Sequence, residues 1–140
     1  MPEPRVLFIC TGNSARSQMA EAFLRRHGGD RFEVFSAWLE PKGINPFTRQ
    51  VMAEQGYDLA GQRSKDVFEF LSKVHFGHII TVCSNAEASC PIFPGIAYRL
   101  HWPFDDPAAV EGGDEAKLAA FRRVRDQIEA RILDWLAETK

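Results

Sequence analysis

Short apolar runs alternate with stretches of helical spacing along the whole chain. The run "RVLFIC", residues 5–10, is continuously apolar after Arg5 and ends at turn-forming residues, as a buried strand does. "SQMAEAFLRRHGG" follows with Met19, Ala20, Phe23 and Leu24 at helical spacing, and Gly28 and Gly29 stop it. "FEVFSAW" is a second strand, and Asn45 followed by Pro46 opens a helix that runs through "FTRQVMAEQ" to Gly56. Ser64 caps a further helix over "KDVFEFLSK", while "HIITVC" and "AYRLHW" supply two more strands. From about Glu115 a long helix carries Leu118, Phe121, Val124, Ile128, Ile132 and Trp135 on one stripe. Strands separated by helices pair in parallel, because parallel neighbours need a crossover. The pattern therefore predicts an α/β fold: a four-stranded parallel sheet with helices on both faces. Residues 1–140 fit the size of one domain. Ligands of such sheets bind beyond the carboxyl ends of the strands.

Composition narrows the class. Apolar residues make up 45% of the chain and charged residues 26%, and no apolar run approaches the roughly 18 residues a membrane span needs. The opening "MPEPRVLFIC" shows no basic segment followed by a long apolar stretch, so a cytoplasmic location is expected. A net charge of -2 gives no basic footprint for nucleic acid. The sequence specifies no oligomer interface, and a monomer is the working expectation. "HFGH" holds His75 and His78 without a surrounding cysteine or carboxylate set, so no metal site is read there. "RRVR", residues 122–125, reads as a solvated helix face.

Chemistry concentrates where the first strand meets the first helix, in "CTGNSARS". Gly12 permits close backbone approach, and the amides of Thr11, Gly12, Asn13, Ser14, Ala15, Arg16 and Ser17 can point inward as an anion nest. The helix amino terminus adds its dipole. Arg16 offers a planar fork for a tetrahedral oxyanion such as phosphate. A cysteine in that field has its thiolate favoured, so the loop holds a nucleophile, Cys10, and its anion pocket together.

"CTGNSARS" resembles the catalytic loop of the low-molecular-weight protein tyrosine phosphatase fold. The resemblance implies Cys10 as nucleophile, Arg16 as oxyanion clamp, Asn13 as organiser of the loop and Ser17 as a hydroxyl bonded to the thiolate. It also assigns Asp105, in "FDDP", the role of general acid toward a leaving oxygen. "TVCSNAEASCP", with "QMAEAF" and "HWPFDDPA", is similar to the thioredoxin-coupled arsenate reductases, which share that fold and add two redox cysteines. That resemblance spans nearly the whole chain. It implies a relay in which Cys10 attacks arsenate, Cys83 attacks the Cys10 sulfur as arsenite leaves, and Cys90 then attacks Cys83. The resemblance further implies that thioredoxin reduces the Cys83–Cys90 disulfide by thiol exchange, although a glutaredoxin or a small thiol meets the same chemical need.

Two other functions stay open on the sequence. A phosphatase acting on phosphate monoesters needs only Cys10, Arg16 and Asp105, with water releasing the phospho-cysteine. An anion or arsenic sensor would use the cysteines as ligands without turnover. Ala15 stands where many phosphatases of this fold carry a second loop cysteine, which leaves Cys83 as the partner for Cys10 and favours the reductase. No bound cofactor is implied. Some reductases of this type hold potassium through Asn, Glu, Ser and Asp; Asn13, Glu21 and Ser36 match, but Lys65 stands at the fourth position. Its ammonium would substitute for the cation, whereas a register one residue later would bring in Asp66.

The relay has a conformational consequence. Seven helical residues from Cys83 to Cys90 would separate their Cα atoms by roughly 10 Å, whereas a disulfide needs about 4.4 to 6.8 Å. The segment is therefore expected to unwind on oxidation. Amide-exchange protection over residues 83–90 should fall in the oxidised protein, and equal protection in both redox states would contradict it.

Overall fold

The computed structural model describes residues 4–9, 15–37, 43–59, 62, 76–82 and 98–138. Strand β1 (Arg5–Ile9) leads to helix α1 (Arg16–Gly28), a short 3-10 turn (Gly29–Arg31) and strand β2 (Glu33–Ala37). Helix α2 (Pro46–Ala53), strands β3 (His78–Thr81) and β4 (Tyr98–His101), a second 3-10 turn (Pro107–Ala109) and helix α3 (Asp114–Glu138) follow. The helix expected over residues 65–73 lies outside the described residues.

All pairings are parallel, and the four strands stand in the order β2-β1-β3-β4. Val6, Leu7, Phe8 and Ile9 of the central strand β1 are all wholly buried. Consecutive strand residues point to opposite faces, so both faces of β1 are covered, which is why its sequence is continuously apolar rather than alternating.

Local sequence sets the helix ends. Asn45 accepts a hydrogen bond from the Phe47 amide at 2.8 Å through its side chain, and Pro46 occupies the first turn, where a missing N–H costs nothing. Gly29, at φ 56°, ends α1 in a backbone conformation that a side chain would disfavour. The expected stripe on α3 is borne out: Phe121, Val124, Ile128 and Ile132 are fully buried, and Trp135 packs between Phe32 at 5.2 Å and Trp102 at 6.0 Å, centroid to centroid. Phe47 meets Phe121 at 5.5 Å, joining α2 to α3.

One expectation fails. Arg125 is not on a solvated face: it is 6% exposed, and its Nη1 donates to the Val51 carbonyl and to Glu54, both at 2.9 Å. Arg26 donates to the carbonyls of Gln55 at 3.3 Å and Gly56 at 2.9 Å, with its guanidinium 3.7 Å from the Tyr57 ring centroid. These two guanidiniums take up carbonyls at the end of α2, where intrahelical donors run out and the helix dipole is negative. Charge patterning on α3 alone could not reveal that partner.

Arg122 grips the Glu54 carboxylate through Nε at 3.0 Å to both oxygens and Nη2 at 2.7 Å. Hydrogen bonding from Arg122 is the main reason the Glu54 carboxyl falls from 4.5 to about 2; desolvation opposes it and Arg125 assists. A depressed folded-state pKa contributes stability in full above the unfolded value and loses it as pH falls through the folded one. Glu54→Gln should therefore lower the urea midpoint at pH 7, and its deficit against wild type should shrink as pH falls from 4.5 to about 2. A deficit that stays constant across that window would exclude the ionic contribution.

Candidate active site

The strand order identifies the crevice. From β1 the chain passes to β2 on one side, then returns across β1 to β3 on the other, so the connections following β1 and β3 diverge. Such a switch point opens a cleft at the carboxyl ends of two neighbouring strands. Here the ladders continue past the strands: Val82 donates to the Ile9 carbonyl at 3.0 Å, Trp102 to Thr81 at 2.7 Å and Phe104 to Val82 at 3.2 Å. Ile9, Val82 and residues 102–104 therefore stand side by side at the carboxyl edge of the sheet. Cys10 follows Ile9 in sequence, and Cys83 follows Val82. Cys10, Thr11, Gly12, Asn13, Ser14, Cys83 and Cys90 themselves lie outside the described residues.

Helix α1 starts at Arg16, with Ala15 4% exposed at its cap position. Ala15 supplies no side-chain cap, and the first turn carries no acidic residue, so no carboxylate of that turn competes for its positive end. Ser17 and Gln18 are fully buried in that turn. Gln62 donates to both the Gln18 carbonyl at 3.2 Å and its Oε1 at 2.7 Å, tying the chain beyond α2 to the same turn.

Arg16, only 6% exposed, turns its guanidinium toward the stretch beyond β4. Its Nη1 donates to the Phe104 carbonyl at 3.0 Å, and its Nη2 lies 3.9 Å from the Asp106 carboxylate. Its Nε is buried with no hydrogen-bond partner among the described residues. A buried unsatisfied donor is costly, and the adjacent Nη2 makes only that long contact with Asp106 among the described residues. The Nε–Nη2 edge therefore has the form and the need of a clamp for two oxygens of one anion.

Of the two carboxylates in "FDDP", Asp106 and not the expected Asp105 faces Arg16. Asp105 instead lines a groove of about 550 Å³ with Pro103, Phe104, Gln127, Ala130, Arg131 and Asp134. Asp106 lies directly before Pro107, and its carbonyl accepts from the Ala109 amide at 3.1 Å at the 3-10 turn. The stretch is braced from behind by Trp102, which is 5% exposed and lies 4.8 Å beneath the Arg131 guanidinium. At the end of β4, His101 Nδ1 lies 2.5 Å from the Thr81 hydroxyl.

Glu21 and Ser36, expected beside the loop, do meet: the Ser36 hydroxyl donates to the Glu21 carboxylate, and both residues are buried. Sequence reasoning did not foresee their cationic neighbour, Arg25, whose Nη1 lies 2.6 Å from Glu21. An i,i+4 pairing of opposite charges was the available signal. Lys65 and Asp66 lie outside the described residues.

The pattern of the low molecular weight phosphotyrosine protein phosphatase family matches residues 5–140. An arsenate reductase of Halalkalibacterium halodurans is 46% identical over 128 residues, covering 91% of each chain. Among solved structures, one described as an arsenate reductase in the oxidized state superposes with a TM-score of 0.82 at 28% identity, covering 100% of both chains. A thioredoxin-dependent arsenate reductase of Corynebacterium glutamicum superposes with a TM-score of 0.71 at 29% identity, over 98% of this chain and 62% of that one.

The free edge of Arg16 makes the site testable with inorganic phosphate. Phosphate at about a hundred times its Kd should stabilise the protein by about 2.7 kcal/mol, read as a rise in Tm. Arg16→Lys replaces the fork with a point charge and should weaken phosphate binding by about tenfold or more. Equal phosphate affinity in the two proteins would exclude the guanidinium as the clamp.

Proposed function

Because the chain belongs to the low molecular weight phosphotyrosine protein phosphatase family, we propose that it uses that family's anion pocket to reduce arsenate to arsenite, through a relay of three thiols. The observation that carries this reading is the hydrogen bond between Val82 and Ile9, the residues just before Cys83 and Cys10. Neighbouring strands run about 4.7 to 4.9 Å apart, and a disulfide needs about 4.4 to 6.8 Å between Cα atoms. Two cysteines entered from adjacent strand ends thus start from a separation suited to forming a bond. The arsenate reductase relatives point the same way.

Arsenate, a tetrahedral oxyanion, docks on the Nε–Nη2 edge of Arg16 with the amides of residues 11–17 around it. The Cys10 thiolate attacks arsenic, a sulfur–arsenic bond forms, and one oxygen leaves as water after accepting a proton. Asp106 is the group we assign to that proton, because its carboxylate flanks Arg16 whereas Asp105 lines the groove against α3. The Cys83 thiolate then attacks the Cys10 sulfur. The electron pair of the sulfur–arsenic bond passes to arsenic, so As(V) becomes As(III) and arsenite departs as a Cys10–Cys83 disulfide forms. Cys90 attacks Cys83, frees Cys10 as its thiolate and leaves a Cys83–Cys90 disulfide. A dithiol reductant takes that disulfide back to two thiols; thioredoxin is our choice, supported by the thioredoxin-dependent relative. Electrons come from thiols throughout, so the reading calls for no bound cofactor. It suits a reducing compartment such as the cytoplasm.

Ester hydrolysis shares every element through the first covalent step. A weak phosphatase activity is therefore part of this reading, and it provides the control. Arsenite formation should be measured with arsenate, thioredoxin, thioredoxin reductase and NADPH. Cys83→Ser should abolish turnover while hydrolysis of p-nitrophenyl phosphate survives. With phenyl phosphate, whose leaving oxygen needs a proton, Asp106→Asn should slow kcat by about a hundredfold, with Asp105→Asn close to wild type. Ester hydrolysis without arsenate turnover in the wild type would make this a phosphatase. A larger loss from Asp105→Asn than from Asp106→Asn would return the acid's role to Asp105.

A further inference from the structure

Helix α1 carries a buried carboxylate that the proposed chemistry does not use. Glu21 is 2% exposed, and a carboxylate at that depth needs a charge partner or hydrogen-bond donors to offset its lost hydration. Arg25, one turn later, brings Nη1 to 2.6 Å from it and donates through Nη2 to the Val34 carbonyl at 2.9 Å. Glu21 in turn accepts from the Ser36 hydroxyl. Both members of the pair thus reach across to β2, at Val34 and at Ser36, the partners in register of Val6 and Phe8 on β1.

We propose that Arg25 is a positioning residue for the anion pocket: by neutralising Glu21 and bonding Val34, it fixes the axial position and rotation of α1 against the sheet. This rests on the proposed oxyanion chemistry. The proposed pocket lies between the end of β1 at Ile9 and the start of α1 at Arg16, with only six residues between them in sequence. Arg16 is the first residue of α1, so any slide or roll of the helix moves its guanidinium and the first-turn amides relative to the end of β1. Arg25 lies nine residues further along, on the order of 13 Å up the axis. It acts through the helix and not by touching the anion. A fork is needed here, because the two donors serve a carboxylate on the same helix and a carbonyl on the neighbouring strand.

The test is inorganic phosphate affinity, measured by calorimetry below the unfolding range, alongside KM and kcat for p-nitrophenyl phosphate. Arg25→Gln leaves Glu21 without its guanidinium and should weaken phosphate binding and raise KM by about tenfold, with kcat changed less. Glu21→Gln combined with Arg25→Gln removes the buried charge as well and should recover phosphate affinity to within about threefold of wild type. A fall in Tm with phosphate affinity unchanged in Arg25→Gln would reduce Arg25 to a structural residue and overturn the proposal. So would a double variant as impaired as the single one. If Arg25→Gln is too unstable to assay, Arg25→Lys carries the test. It keeps the charge beside Glu21 but loses the second donor, and affinity between those of wild type and Arg16→Lys is expected. Affinity equal to wild type would overturn the role of the fork. Phosphate binding does not depend on redox turnover, so a wild type that binds phosphate but fails to reduce arsenate would refute the reductase reading and leave this test intact.

Discussion

The amide of Val82 bonded to the carbonyl of Ile9 is the joint from which the site is built. It extends the β1–β3 ladder one residue beyond Thr81, and the Val82 carbonyl passes the pairing on to Phe104. Backbone hydrogen bonds thus hold in one row the end of β1, the end of β3 and the stretch carrying Asp106. Parallel pairing makes this possible, because all strands deliver their carboxyl ends to the same edge. An antiparallel β3 would send the chain out at the opposite edge. The strand order reverses around β1, and a switch point of that kind is where a cleft opens in parallel sheets, which follows from topology before any side chain is considered.

On that frame the charged side chains divide by what they hold. Arg125 and Arg26 neutralise the end of α2, and Arg25 neutralises Glu21; each spends its donors on carbonyls or carboxylates of the fold. Arg16 differs in having one donor on Phe104 and a buried Nε with no partner among the described residues. A guanidinium whose donors serve the fold builds rigidity, whereas a buried one with a spare edge invites a ligand. The Arg16–Phe104 bond also ties that guanidinium to the stretch carrying Asp106, so the proposed clamp and the proposed acid are held together.

Periodicity made the fold legible. Continuously apolar β1 and the Phe121, Val124, Ile128, Ile132 stripe both reflect burial that any correct structure must repeat, and Asn45-Pro46 declares its helix start through local hydrogen bonding. What failed depended on partners distant in sequence. Arg125 looked solvated because the carbonyl and the carboxylate that hold it sit at the end of α2. Choosing between Asp105 and Asp106 needed the direction in which each leaves the chain. Adjacent residues of an extended segment face opposite ways, and only the position of Arg16 says which way is inward. Proximity to Pro107 marked a turn but could not orient it. The reading of the cysteine loop rests on local requirements, a glycine, a run of amides, a helix start and a fork; of these the described residues include the helix start at Arg16 and its guanidinium, while Cys10 to Ser14 lie outside them.

In the proposed reading, phosphatase and reductase chemistry differ by where one thiol enters. Both begin with a thiolate attacking a tetrahedral centre under a guanidinium, and neither needs a different sheet. Water resolves a phospho-cysteine because phosphorus stays at its oxidation level, and a nearby thiol would gain nothing from it. The arsenic adduct can accept an electron pair, so a thiol within reach changes the outcome from hydrolysis to reduction. For the relay proposed here, a strand neighbouring β1 is the economical place for that thiol, since adjacent strands run at a spacing close to what a disulfide needs. Cys83, following Val82 directly, has that address in the sequence. A thiol brought from a remote loop would have to be positioned by side-chain packing alone, whereas this one inherits its starting point from a backbone ladder.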